Sequence, residues 1–239
     1  IKKSVMVCFG NGNERKRLKS LPPLYKPSSK NQIHYLDFLH DAKKTMVVAI
    51  GPAGSGKTLF ACVQAIRLLQ YGDIKKIVIT RPLVSVEEEE LGFLPGNLVS
   101  KMDPWTRPVI DIFSEYYSMS DITNMIRNNV LEIAPLAFMR GRTFHDTFVI
   151  ADEMQNSSPS QMLMLTTRIG HHSKLVVTGD LAQSDRNVQN GLKDFLDRYY
   201  QFQSSASFND TIKDVGLVNM DRNDVKRSVF VSNILKLFD

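Results

Sequence analysis

Apolar residues along this chain fall into short unbroken runs, and helical periodicity fills the stretches between them. TMVVAI (45–50), KKIVIT (75–80), VLEIAP (130–135), DTFVIAD (146–152) and SKLVVTGD (173–180) are each brief and rich in Val and Ile. Runs of this kind are expected of strands buried on both faces, since a strand with one wet face alternates instead. NQIHYLDFLHDA (31–42) carries Ile33, Leu36, Phe38 and Leu39 as the apolar side of an amphipathic helix. TLFACVQAIRLLQY (58–71) predicts a helix stopped by Gly72, and SPSQMLMLTTRIG (158–170) one opened by Ser158 with Pro159 just inside it. The stretch 81–130 is the least strand-like; it holds Pro82, Pro95, Pro104 and Pro108, and then a helical segment from Val109 to Arg127. Residues 207–221 predict a last strand or two, and 221–239 a final helix. Strands and helices alternating in short units imply an α/β fold, a mostly parallel sheet with helices on both faces. At 239 residues the chain suits one such domain, over 31–239, preceded by a basic, Pro- and Ser-rich arm over 1–30.

Composition narrows the class without choosing a function. The chain is 43% hydrophobic and 23% charged, ordinary for a soluble protein. No apolar run approaches the ~20 residues of a spanning helix, and the N-terminal stretch is too short and polar for a signal peptide. A cytoplasmic protein without membrane contact is therefore expected. Cys8 and Cys62 are the only cysteines. No CxxC or Cys/His cluster exists, and both read as free thiols in a reducing compartment. The formal charge of +5, concentrated at 13–19 and 26–30, permits nucleic-acid binding without demanding it.

The chemistry resides in three blocks. In GPAGSGKT (51–58), Gly51, Gly56, Lys57 and Thr58 satisfy G-x-x-x-x-G-K-[ST], between an apolar strand and a helix. Such a loop, here Gly51, Pro52, Ala53, Gly54, Ser55 and Gly56, wraps phosphates in backbone N–H groups at a helix N-terminus. Lys57 is expected to reach the β- and γ-phosphates and Thr58 to ligate Mg²⁺. VIADEMQN (149–156) ends a buried strand on Asp152 and Glu153, at the crevice where open α/β sheets bind ligands. Asp152 is expected to hold Mg²⁺, and Glu153 to orient and polarise the attacking water. VVTGDLAQSD (176–185) ends a third strand at Thr178-Gly179-Asp180, with Gln183 placed to donate to a γ-phosphate and accept from water.

In their order and spacing these blocks resemble the PhoH-like proteins, cytoplasmic ATPases related to superfamily-one helicase cores. TRPLVSVEEEELGFLPGNLVSKMDPWTRP (80–108), the near-continuous 135–185, and GLVNMDRNDVKRSVFV (216–231) carry the likeness over about 31–232. Glu87 to Glu90 depart from the family's usual glycine and single glutamate, so a solvated acidic face is the simpler reading there. The resemblance implies a single RecA-like P-loop NTPase domain using ATP and Mg²⁺. It supports Lys57, Thr58, Asp152, Glu153 and Gln183 in the roles above, and adds Gln32 as an adenine-reading residue. It also leaves Arg81, Arg140, Arg142, Arg168 and Arg227 in family-like segments. Arg168 and Arg227 are the candidate arginine fingers, and Arg140 and Arg142 the candidates for RNA phosphates. One nucleotide-binding lobe is half of what a strand-pulling motor needs. The resemblance therefore implies a homo-oligomer, a hexameric ring, acting on RNA or single-stranded nucleic acid. An ATP-dependent switch or assembly factor acting on a protein partner is the alternative, and a small-molecule kinase fits less well.

Overall fold

The computed structural model describes residues 25–83, 98–184, 190–203 and 212–225. Six strands, β1 (Met46–Ile50), β2 (Lys76–Arg81), β3 (Leu131–Pro135), β4 (Thr147–Ala151), β5 (Lys174–Gly179) and β6 (Val215–Asn219), form one parallel sheet in the order β3-β2-β4-β5-β1-β6. The phosphate-loop strand β1 and the carboxylate strand β4 are thus separated by β5. All three of the sequence blocks singled out above end at the same edge of the sheet. This is the parallel α/β architecture, with helices on both faces, that the alternation predicts.

Pleating sorts each apolar run into two cores. Val47, Ala49, Ile77, Ile79, Phe148, Ile150 and Val176 face one side, where α1 (Lys30–His40), α2 (Lys57–Tyr71), α3 (Leu98–Ser114) and α4 (Met119–Arg127) pack. Met46, Val48, Val78, Val149, Leu175 and Val177 face the other, against α5 (Pro159–Thr166) and α6 (Gly191–Gln203). Gly72 ends α2 in the left-handed conformation, and Ser158 starts α5 through a reciprocal capping box with Gln161, both as the sequence predicts.

Four details differ from expectation. The segment 109–127 is two helices, because the chain turns after Ser114 and Ser118 caps α4 in a box with Asp121. Pro104 and Pro108 lie inside α3; the packing of Trp105, Val109 and Phe113 against the core outweighs the helix donors those prolines lack. In α1 the buried face is Gln32, Tyr35 and Leu39, while Ile33 is exposed, so a polar residue takes an inward position. Helix α6, buried through Leu192 and Leu196, has no counterpart in the sequence reading. One strand, β6, stands for the last strand or two among the described residues. Residues 1–24 of the arm over 1–30, all but 221–225 of the expected final helix, Cys8, Glu87 to Glu90 and Arg227 lie outside them.

Candidate functional site

The phosphate loop leaves β1 under tight restraint. The Met220 N–H, just past β6, donates to Ile50 O at 2.7 Å, and the Gly51 N–H donates to Gly179 O at 3.1 Å. Gly51 abuts that same β6 exit so closely that a Cβ would come within 2.3 Å of Met220 O. Gly56, at φ 89, would place a Cβ 2.8 Å from the Phe60 ring; here only glycine satisfies both the backbone and the space. Helix α2 begins immediately afterwards at Lys57, so its positive end points into the loop's concavity.

Lys57 is buried, and its Nζ donates to Gly51 O at 2.6 Å and Pro52 O at 2.9 Å. Burial pushes its pKa below the ordinary lysine value, and the carboxylates of Asp180, Asp152 and Glu153 act in the opposite direction. Thr58 Oγ1 donates to Asp152 Oδ1 at 2.9 Å, and Thr178 Oγ1 donates to the same oxygen. A threonine hydroxyl and a carboxylate oxygen already in contact form a hard, all-oxygen donor set that fits Mg²⁺.

Glu153 stands in the left-handed region, φ 54 and ψ 39, a conformation uncommon for a residue with a Cβ and one that marks functional sites. Gln155, 1% exposed, braces it: Nε2 donates to Glu153 Oε2, and Oε1 accepts from the Asp180 N–H at 3.1 Å. Asp180 in turn accepts from the Ala182 N–H at 3.0 Å and starts the short turn Leu181–Gln183. Gly54, Lys57, Thr58, Asp152, Glu153 and Gln183 line one cleft of about 240 Å³. The sequence motifs name most of that lining. Gln155 was missed, since its place depends on the turn at Glu153 and on no spacing rule.

Two candidates lie elsewhere. Gln32 is 3% exposed, with its amide held entirely by protein groups; in this geometry it supports the loop from behind. Arg168 follows α5 at the opposite edge of the sheet from the cleft, bound to Met164 O and Thr167 Oγ1. It cannot reach its own chain's cleft. Of the arginines considered for phosphate contacts, Arg142 forms a two-pronged pair with Glu132 at 2.6 and 2.8 Å and lies over the Phe144 ring. Arg140 is exposed.

The PhoH-like protein family's sequence profile matches residues 25–239. The chain belongs to the PhoH-like family. A PhoH-like protein of Bacillus subtilis is 40% identical over 202 residues, 82% of this chain and 59% of its own length. A PhoH-like protein of Mycobacterium tuberculosis is 37% identical over 245 residues, all of this chain and 66% of its own length, and Protein PhoH of Escherichia coli is 36% identical over 211 residues, 87% and 56%. This PhoH-like chain thus spans roughly three-fifths of the curated relatives it matches. Among solved structures, a Sulfolobus solfataricus SWI2/SNF2 ATPase core in complex with dsDNA covers 84% of the chain and 47% of its own, at 9% identity and a TM-score of 0.47. Among the described residues, no helix is long and apolar enough to cross a membrane.

Proposed function

We propose that this PhoH-like protein is an ATPase that hydrolyses ATP with Mg²⁺ and couples that hydrolysis to binding or unwinding RNA or single-stranded nucleic acid as an oligomer. The observation that carries the hydrolytic part is the convergence of Lys57 and Thr58 with Asp152 and Glu153 in one cleft. In this reading the loop N–H groups and the start of α2 cradle the phosphates. Lys57 exchanges its bonds to the loop carbonyls for bonds to β- and γ-phosphate oxygens. Thr58 and Asp152 would hold Mg²⁺, which when bound neutralises charge on those oxygens. Glu153 accepts a proton from the attacking water as its oxygen bonds to the γ-phosphorus. The bond to the bridging oxygen breaks, and its electron pair leaves with ADP. Gln183, at the rim of the cleft, donates to the γ-phosphate.

Support for the nucleic-acid part comes from the formal charge of +5 and from the turn after β3. There Phe138, 53% exposed, and Arg140 both stand exposed, an aromatic and a cation suited to a strand's base and phosphate. For a ring, Arg168, which lies away from its own chain's cleft, is the candidate to complete a neighbour's. Lys57→Ala and Glu153→Gln should each abolish ATP turnover while circular dichroism stays native, and full activity in both would sink the site assignment. ATPase rates with and without single-stranded RNA, measured alongside mass in solution, test the coupling. A monomer indifferent to RNA would favour the nucleotide switch instead.

A further inference from the structure

Helix α1 grips the phosphate loop from behind. Tyr35, fully buried, donates its hydroxyl proton to Lys57 O at 3.0 Å. One turn earlier, Gln32 Nε2 donates to Ser55 O at 3.0 Å. The two carbonyls flank Gly56, the glycine whose conformation sets the loop. The second proton of that same amide goes to Asp224 O, also at 3.0 Å. Its oxygen accepts from the Ser28 N–H at 2.8 Å and from Ser28 Oγ at 3.0 Å. A side-chain amide offers two donors and two acceptor positions, and here all four are used.

Asp224 belongs to the turn that follows β6, and this turn is itself firmly built. Its carboxylate is 1% exposed for the residue as a whole and accepts from the Asp221 N–H at 2.6 Å and from Asn31 Nδ2 at 2.9 Å. Asn31 and Gln32 are adjacent, so the first turn of α1 holds both the side chain and the backbone of Asp224. The residue before this turn, Met220, is the one that abuts Gly51. The phosphate loop is therefore tied to the 220–225 segment at both of its ends, directly at Gly51 and through Gln32 at Ser55.

We infer that Gln32 is a positioning residue that couples the phosphate loop to the turn at 221–225, and that it does not select the nucleobase. Its amide has no hydrogen-bonding capacity left for an adenine edge. Turning it toward one would strip partners from two buried carbonyls, those of Ser55 and Asp224. A loop that moves on taking up phosphates must carry Gln32 with it, or break that bond. Either way the 221–225 turn responds to the occupancy of the cleft.

This rests on the nucleotide-site reading above, and the experiment separates the two. Equilibrium binding of ATP and of GTP is measured for the wild-type chain, for Gln32→Met and for Asp224→Ala. Gln32→Met keeps the length of the side chain and removes its hydrogen bonds. Asp224→Ala loosens the turn outside the cleft lining, so it reports even where Gln32→Met does not fold. Both variants should lose roughly ten-fold in affinity, as expected for hydrogen bonds lost at a buried polar junction. The loss should be equal for ATP and GTP. A changed ATP-to-GTP preference in Gln32→Met would make it a base reader and overturn the inference. So would wild-type affinity in Asp224→Ala. If the wild-type chain binds neither nucleotide, it is the functional reading that fails.

Discussion

Glu153 occupies a backbone region that costs a residue with a Cβ about 1–2 kcal/mol, and it does so in the lining of the cleft. The fold offsets that cost locally through Gln155, which ties the glutamate to the Asp180 N–H just past β5. Gln155 itself does not line the cleft. Its consequence is therefore in orientation. Gln155→Leu should lower kcat by roughly ten- to a hundred-fold, the scale of a misplaced catalytic group, with KM for ATP nearly unchanged. Single-turnover kinetics beside nucleotide titration would check this, and a KM effect equal to the kcat effect would instead assign Gln155 to binding. The sequence names Asp152 and Glu153 because carboxylates at the end of an apolar strand are a pattern. It cannot name Gln155, because a left-handed turn brings positions 153 and 155 onto the same side. For the same reason Gln32 reads as a polar residue at a helix start, where the structure turns it inward.

Elements were legible to the extent that burial writes itself into composition. All five apolar runs became strands because a parallel strand covered on both faces has no room for polar alternation. The helix split at 115–118 was hidden because Tyr116 and Tyr117 continue the apolar character through the turn, both buried. Helix α6 was hidden because its buried face is narrow, with Leu192 and Leu196 amid polar residues. One electrostatic joint between elements gives a pH-dependent consequence. Glu132 of β3 pairs with Arg142 and, at 2.6 Å, with Lys76 of β2. The Arg142 hydrogen bonds, then those of Lys76, hold its pKa down at about 2, against an ordinary 4.5, while burial opposes them. A carboxylate held down in the folded state lends stability that is complete above pH 4.5 and lost as pH falls toward 2. The Tm advantage of the wild-type chain over Glu132→Gln should therefore be flat from neutral pH to about 5 and shrink below 4.5. Thermal melts at stepped pH would check it; an advantage unchanged down to about 2 would assign the difference to shape alone.

On the scale of the whole molecule the two edges of the sheet have different content. One holds the loop, the carboxylates and Gln183, while the other holds Arg168, fixed by carbonyls of its own helix and by Arg142 O at 3.5 Å. If subunits stack edge to edge in a ring, Arg168→Ala and Lys57→Ala chains spoil different halves of a shared site. Each variant should be inactive alone, and mixing the two should restore a measurable fraction of the ATPase rate. No recovery on mixing, with the mixed assembly confirmed by mass, would remove Arg168 from the site.

The junction between Gly51 and Met220 bears on how the protein is made. The phosphate loop follows β1, yet the strand that seats it, β6, is the last strand described in chain order. A nascent chain that has reached α6 possesses the whole phosphate-loop sequence but lacks the neighbour that gives that loop its shape. On the function proposed above, a loop shaped to take up nucleotide therefore waits on the docking of the 215–225 segment. A chain cut short before that point would carry an intact signature motif and still hold no nucleotide.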